Sequence, residues 1–259
     1  MTDGRNPHGS FIWYELLTPD PEASAAFYGE VLGWTAAGAG QPGIDYRIFS
    51  ADDGPVAGHM KLPDGAGSAG MRPGWLGYIG VDDVDASLAA IEAAGGTVHM
   101  PAMDLDGVGR IALAADPQGV PFYVMRGESD EASRSFDWKK AGHCSWNELS
   151  TPDQAAALDF YTARFGWEKG EAMPMGEMGE YQFIEHGGGM IGAVMTNPPG
   201  QPAGWKFAFG VRDIDEAAAR IRGAGGAVHH GPVEVPGGDR VVMASDPQGI
   251  PFMAVGPRD

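Results

Sequence analysis

Cysteine is nearly missing from this chain. Cys144 is the only one among 259 residues, so no disulfide can form within the chain, and a reducing, cytoplasmic location fits best. Basic residues are scarce too: 17 Lys and Arg face 35 Asp and Glu, a net charge of −18. That field repels phosphate backbones and anionic lipid headgroups, which argues against a nucleic-acid or membrane-surface partner. Apolar runs stay well short of the roughly 20 residues a membrane helix needs. The opening M-T-D-G-R-N-P-H-G-S has none of the charged-then-apolar layout of a secretion signal. What remains is a soluble chain, long enough for two ordinary domains, whose partner is a small-molecule ligand.

The chain is written twice. G-S-F-I-W-Y-E-L-L-T-P-D from Gly9 to Asp20 returns as G-H-C-S-W-N-E-L-S-T-P-D from Gly142 to Asp153. Both copies continue to Phe-Tyr (Phe27 and Tyr28; Phe160 and Tyr161) and to Gly-Trp (Gly33 and Trp34; Gly166 and Trp167). D-P-Q-G-V-P-F from Asp116 returns as D-P-Q-G-I-P-F from Asp246. The spacing drifts from 133 residues at Gly9 and Gly142, through 135 at Tyr46 and Tyr181, to 130 at Asp116 and Asp246. The slips fall in Gly/Pro-rich stretches such as 37–43 and 63–74, where loops absorb insertions cheaply. A period this long means two domains rather than a solenoid. They are placed at 9–127 and 142–257, with a polar linker at 128–141.

Within each copy the same local grammar appears twice. A strand (10–17; 75–81) leads into a helix and then into short strands. Asp20 caps the first helix, Pro21 suits its first position, and Gly33 ends it. The second helix starts near Asp83, or Asp213 in the other copy, and stops at paired glycines. Strands follow at 46–50, 56–62, 110–114 and 122–126, with counterparts at 181–185, 190–195, 240–244 and 252–255. The fold class is therefore α+β, two tandem domains each built from a pair of β-α-β-β-β units. The inserts at 38–43 and 170–179 read as surface loops, with a lid over a cup mouth as the alternative.

T-P-D-x(7)-F-Y-x(4)-G-W and D-P-Q-G-[VI]-P-F, set in that grammar, resemble the vicinal oxygen chelate superfamily, which includes glyoxalase I, bleomycin-binding proteins and extradiol dioxygenases. The resemblance covers nearly the whole chain. It implies curled mixed sheets, each a half-open cup, and a divalent metal held by four strand positions. Carried onto this sequence, those positions are Trp13 and Trp146; Leu76 and Lys206; Tyr123 and Met253; and 58–60 matched by 193–195. Only His59 there is a coordinating residue, and one histidine cannot hold a catalytic ion that needs about three protein ligands. No metal cofactor is expected; a divalent ion in an unusual set around His59 is the alternative.

Alternation puts Phe11, Trp13, Glu15 and Leu17 on one face of the opening strand, and Cys144, Trp146, Glu148 and Ser150 on its twin. If that face looks into the cup, each cup holds an indole beside one carboxylate. A carboxylate in such surroundings should have a raised pKa, as a general acid or base does. Equally, Glu15 and Glu148 can serve structure, with Arg110 and Arg240 as partners. Met60, Tyr78, Tyr123, Met195, Lys206 and Met253 complete the expected ligand-binding set. The reading is a binder of a small hydrophobic or aromatic molecule working without the usual metal, compatible with a homodimer. The alternative is a lyase, isomerase or dioxygenase of the same superfamily using Glu15, Glu148 or an unusual metal site.

Overall fold

The computed structural model describes residues 5–40, 45–63, 72–197 and 200–258. The first copy supplies β1 (Phe11–Thr18), α1 (Pro21–Leu32), β2 (Thr35–Gly38), β3 (Tyr46–Ala51), β4 (Gly54–Lys61), β5 (Gly74–Gly80), α2 (Val84–Ala93), β6 (Thr97–Leu105), β7 (Gly109–Ala115) and β8 (Pro121–Gly127). The second supplies β9 (Cys144–Thr151), α3 (Gln154–Phe165), β10 (Glu168–Pro174), β11 (Glu180–His186), β12 (Gly189–Thr196), β13 (Gly204–Gly210), α4 (Ile214–Gly223), β14 (Ala227–Glu234), β15 (Arg240–Ser245) and β16 (Pro251–Gly256). They form two mixed eight-stranded sheets, β2-β3-β4-β1-β5-β8-β7-β6 and β10-β11-β12-β9-β13-β16-β15-β14. No described helix is long and apolar enough to cross a membrane.

The helix signals work as the sequence predicts. The Asp20 side chain accepts from Ala23 N, Pro21 opens α1, and Gly33 closes it at φ 74°. Asp83, Asp153 and Asp213 cap the other three helices in the same way. The first half of the insert expected to be a loop at 170–179 is instead the end of β10, an edge strand paired antiparallel with β11, followed by a single 3-10 turn at Gly176–Met178. Gln41, Pro42 and Gly43 of the other insert lie outside the described residues. The strands after α2 and α4 are longer than expected, running nine and eight residues in β6 and β14.

The chain divides into two compact units that interleave the copies. Unit one gathers Met1–Ile12, Leu76–Ser133 and Asn147–Trp205; unit two gathers Trp13–Trp75, Arg134–Trp146 and Lys206–Asp259. The repeated motifs explain this. In unit two the Gln248 amide of the second copy brackets the first-copy helix start, accepting from Asp20 N at 3.0 Å and donating to Asp20 O at 3.1 Å and Ser24 Oγ at 2.9 Å. In unit one Gln118 does the same for Asp153, accepting from N at 2.8 Å and donating to O at 2.9 Å. Asp246 and Asp116 tie their own turns together through backbone amides, and each accepts from a buried tyrosine, Tyr28 at 3.4 Å and Tyr161 at 3.2 Å. Burial lifts both carboxyls above the ordinary aspartate range and pushes both phenols well above theirs.

Aromatic rings fill each unit's core. Tyr28, Trp34, Phe49, Trp75 and Phe209 interlock in unit two, and Tyr161, Trp167, Trp205, Phe11 and Phe122 in unit one. The tryptophans of the Gly-Trp pairs are anchored by backbone, Trp34 Nε1 on Gly142 O at 2.7 Å and Trp167 Nε1 on Gly9 O at 2.8 Å. Gly9 must be glycine: its φ is 93°, and a Cβ there would lie 2.0 Å from the Phe165 carbonyl oxygen. Helix α1 packs on α4 in unit two, and α2 on α3 in unit one.

Candidate functional site

Strand alternation splits β1 into two environments. Tyr14 and Leu16 point to the helix-covered side, where Tyr14 meets Phe207 and Phe209 edge-on at 5.0 and 6.3 Å. Trp13, Glu15 and Leu17 point the other way. Parallel pairing with β4 sets Glu15 opposite Gly58 and Leu17 opposite Met60, and β3 brings Tyr46 opposite Met60. The Trp13 indole donates to Tyr46 Oη at 2.9 Å. Tyr46 owes its position to glycine, because a Cβ on residue 58 would lie 1.9 Å from that hydroxyl. Glu15 is buried.

His59 faces away from this wall. It pairs with Leu16, lies fully buried on the helix side, and stacks on Phe49 with ring centres 4.0 Å apart. Burial, reinforced by nearby Arg47, holds its pKa down to about 4. The residue opposite Glu15 on this wall is Gly58, which has no side-chain donor. Among the described residues no three His, Cys, Asp or Glu side chains gather where they could hold a metal ion. The donor set does not fit the ion that the resemblance implies.

In unit one the matching wall comes from β9, β11 and β12. Ala193 stands opposite Glu148 and Met195 opposite Ser150, while Phe183 faces Ala193. Tyr181 donates to Glu148 Oε2 at 2.9 Å and meets Phe183 edge-on at 5.6 Å. Glu148 and Met195 are buried. Elsewhere in unit one Tyr78 and Tyr123 stack on each other, centres 4.2 Å apart and planes 18° apart, and little of either ring reaches solvent. Half-buried Leu76 belongs to the same strand, β5, as Tyr78.

Unit two holds the remaining expected residues. Met253 is buried opposite Ala208, Lys206 is half-buried on the same strand as Ala208, and Trp146 is half-buried on β9. Cys144, two residues before Trp146, is a buried thiol that burial pushes up to about 12, so it is no nucleophile at neutral pH. Arg110 does not serve Glu15: its guanidinium forks onto Asp85 and Asp104 at 2.8–2.9 Å. Sequence reasoning missed Tyr46 and Tyr181. Both begin predicted strands at equivalent places in the two copies, which was a usable signal. Two surface hollows, of about 450 Å³ beside His8, Ala90 and Arg164 in unit one and about 300 Å³ beside Gly33, Arg212 and Arg220 in unit two, lie at helix seams away from these walls.

Comparison with known proteins follows the same lines. The family model for the Glyoxalase/Bleomycin resistance protein/Dioxygenase superfamily matches residues 10–124 and again 140–254. The chain is 34% identical over 252 residues to a protein named putative glyoxylase CFP32 of Mycobacterium tuberculosis, covering 96% of this chain and 95% of that one. It is 34% identical over 265 residues to anthracycline biosynthesis protein DnrV of Streptomyces peucetius, covering 95% and 93%. Among solved structures, the Mn(II)-bound glyoxalase of Novosphingobium aromaticivorans superposes with a TM-score of 0.66 at 20% identity, covering 98% of this chain and 83% of that one. The 2,3-dioxygenase LapB of Pseudomonas sp. KL28 gives 0.65 at 16% identity, covering 100% and 94%. At those identities the structural likeness speaks for the fold alone.

Proposed function

Because this chain belongs to the glyoxalase/bleomycin resistance protein/dioxygenase superfamily, we propose that it binds a small aromatic or otherwise hydrophobic molecule against its indole-bearing walls, without the metal its structural neighbours use. The observation that carries this reading is the Trp13–Tyr46 pair. The resemblance carries one ligand position of the family onto Trp13, whose indole is held by a tyrosine hydroxyl lying where a side chain on residue 58 would extend. Large, orientable ring faces are what a flat apolar ligand stacks on, and the thioethers of Met60, Met195 and Met253 mould to its outline. Tyr78, Tyr123, Trp146 and Lys206 complete the proposed ligand-binding set. The curated relative named for anthracycline biosynthesis fits this choice, since anthracyclines are fused-ring aromatics.

A second reading has one observation in its favour. Tyr181 fixes one oxygen of the buried Glu148 carboxylate, and holding a carboxylate in one orientation is how a proton-transferring residue is prepared. Glu15 and Glu148 would then act as general acid or base in a lyase, isomerase or dioxygenase.

Fluorescence titration with a fused-ring aromatic such as an anthracycline separates the two. Saturable quenching is expected in the intact protein, weakened about ten-fold or more by Trp13→Ala or Trp146→Ala, on the scale of one lost ring contact. Chelator treatment and Glu148→Gln should leave the affinity within about two-fold, because a hydrophobic binder needs neither the ion nor the proton. An affinity that collapses on chelation and returns with manganese, iron or zinc would remove the metal-free reading.

A further inference from the structure

The unit-one hollow of about 450 Å³ lies between one stripe of α2 and the end of α3. Asp83, Ala86 and Ala90 recur at i, i+3 and i+7 along that stripe, on a single helical face. Arg164 faces them from the last turn of α3. His8 holds the two sides together, its Nε2 donating to Arg164 O at 2.9 Å and its Nδ1 accepting from Asp82 N at 3.3 Å. Arg164 is half-buried, its Nη1 donates to Ala90 O at 3.2 Å, and its Nε is buried without a partner. Among the described residues no carboxylate pairs with it. Asp82 and Asp83 line the opposite end, seven residues of helix from Ala90, or about 10 Å. Asp83 caps Ala86 N at 3.0 Å, and exposed Asp82 lies 4.0 Å from both Arg126 and His8. The fold makes a matching hollow in unit two. There Val31 stands where unit one has Arg164, and the lining arginines Arg212 and Arg220 are paired with Asp52 and Glu216.

We propose that the unit-one hollow is a second binding site, for a small bipolar molecule. Its carboxylate pairs with Arg164, its ammonium with Asp82, and an unbranched apolar body lies along Ala86 and Ala90. A half-buried cation without an acid is costly, and an incoming carboxylate removes that cost through charge-assisted hydrogen bonds. Asp82 adds less, because an exposed pair is screened by water and salt. Zero net charge on the ligand matters as well, since the field of a chain carrying −18 repels a bare anion. This site lies away from the aromatic walls and stands independently of the binding function proposed for them.

The test is an NMR titration of the full chain at low salt with 6-aminohexanoate, hexanoate and hexylamine, which share a six-carbon body and differ in their charged ends. Saturable shifts are expected at the backbone amides of Ala86, Ala90 and Arg164. 6-Aminohexanoate should bind tightest, hexanoate about three-fold more weakly and hexylamine about ten-fold more weakly. Arg164→Gln should weaken 6-aminohexanoate about ten-fold and Asp82→Asn about three-fold. Should Arg164→Gln not fold, Ala86→Leu decides. It places a bulky side chain on an exposed position of the stripe, where a helix accepts leucine, and should abolish the shifts at Ala90 and Arg164. The proposal is overturned if 6-aminohexanoate gives no saturable shift at these amides, if the three probes bind equally, or if Arg164→Gln or Ala86→Leu binds like the unaltered protein.

Discussion

At the scale of single residues, the two faces of one strand carry different chemistry, and His59 shows how much a one-residue register shift matters. Its pKa is held down to about 4 against an ordinary 6.5, chiefly by burial. Above pH 6.5 it is neutral whether folded or not, and its contribution to stability is complete. As pH falls from about 6.5 toward about 4, the unfolded chain takes up a proton that the folded chain refuses, so stability is lost at up to about 1.4 kcal/mol per pH unit. Asp116 and Asp246 act in the opposite sense: burial raises their folded values, so they favour the folded state as pH drops through that raised range. Comparing the intact protein with His59→Phe cancels the aspartates and preserves the stack on Phe49. Urea unfolding should show the intact protein losing about 1–2 kcal/mol more than the variant between pH 7 and pH 4.5; parallel pH profiles would contradict this placement of His59. The Trp13 and Glu15 face was legible in the sequence because alternation along one strand needs no knowledge of its neighbours. The face of His59, and the arrival of Tyr46 and Tyr181, depend on which strands pair and in what register, and no local pattern states that.

Among the elements, helices were legible wherever a capping aspartate, a first-turn proline or a closing glycine punctuated them, as at Asp20, Pro21 and Gly33. Edge strands β2 and β10 were not. Their sequences, T-A-A-G and E-K-G-E-A-M-P, face solvent along most of their length, so no burial imposes a period of two. The turn of each D-P-Q-G motif was legible as a turn, whereas its task of holding a distant helix start was not. That task differs between the units in a way that can be measured. Gln248 bonds both backbone groups of Asp20 and also the buried hydroxyls of Thr18, at 2.5 Å, and Ser24. Gln118 bonds the two backbone groups of Asp153 alone, for Ala157 stands where the other unit has Ser24. Buried hydroxyls that lose a partner cost more than exposed backbone that water can satisfy. Gln248→Ala should therefore destabilise by about 1–3 kcal/mol and Gln118→Ala by about 0.5–1.5 kcal/mol. Equal losses in chemical denaturation would mean the Thr18 and Ser24 bonds contribute nothing.

For the whole molecule, the duplication is plain in the sequence, but the interleaving of the copies is not. The docking partners T-P-D and D-P-Q-G occur unchanged in both copies, so nothing local tells a turn whether to seize its own copy's helix or the other's. The bonds from Gln248 to Asp20 and from Gln118 to Asp153 give the answer in space. It follows that neither copy can leave without dismantling both units, since each unit draws long segments from both. The exposed stretch Glu128, Ser129, Asp130 and Glu131 joins the copies and is the place to cut. A site-specific protease sequence inserted there and cleaved under native conditions should give two fragments that co-elute at the volume of the uncut chain at micromolar concentration. The melting temperature should drop by only a few degrees, because the cut removes chain connectivity and leaves the aromatic cores and the glutamine brackets in place. Fragments that separate on the column after native cleavage would show that each copy holds its own core, and the assignment of segments to the two units would be wrong.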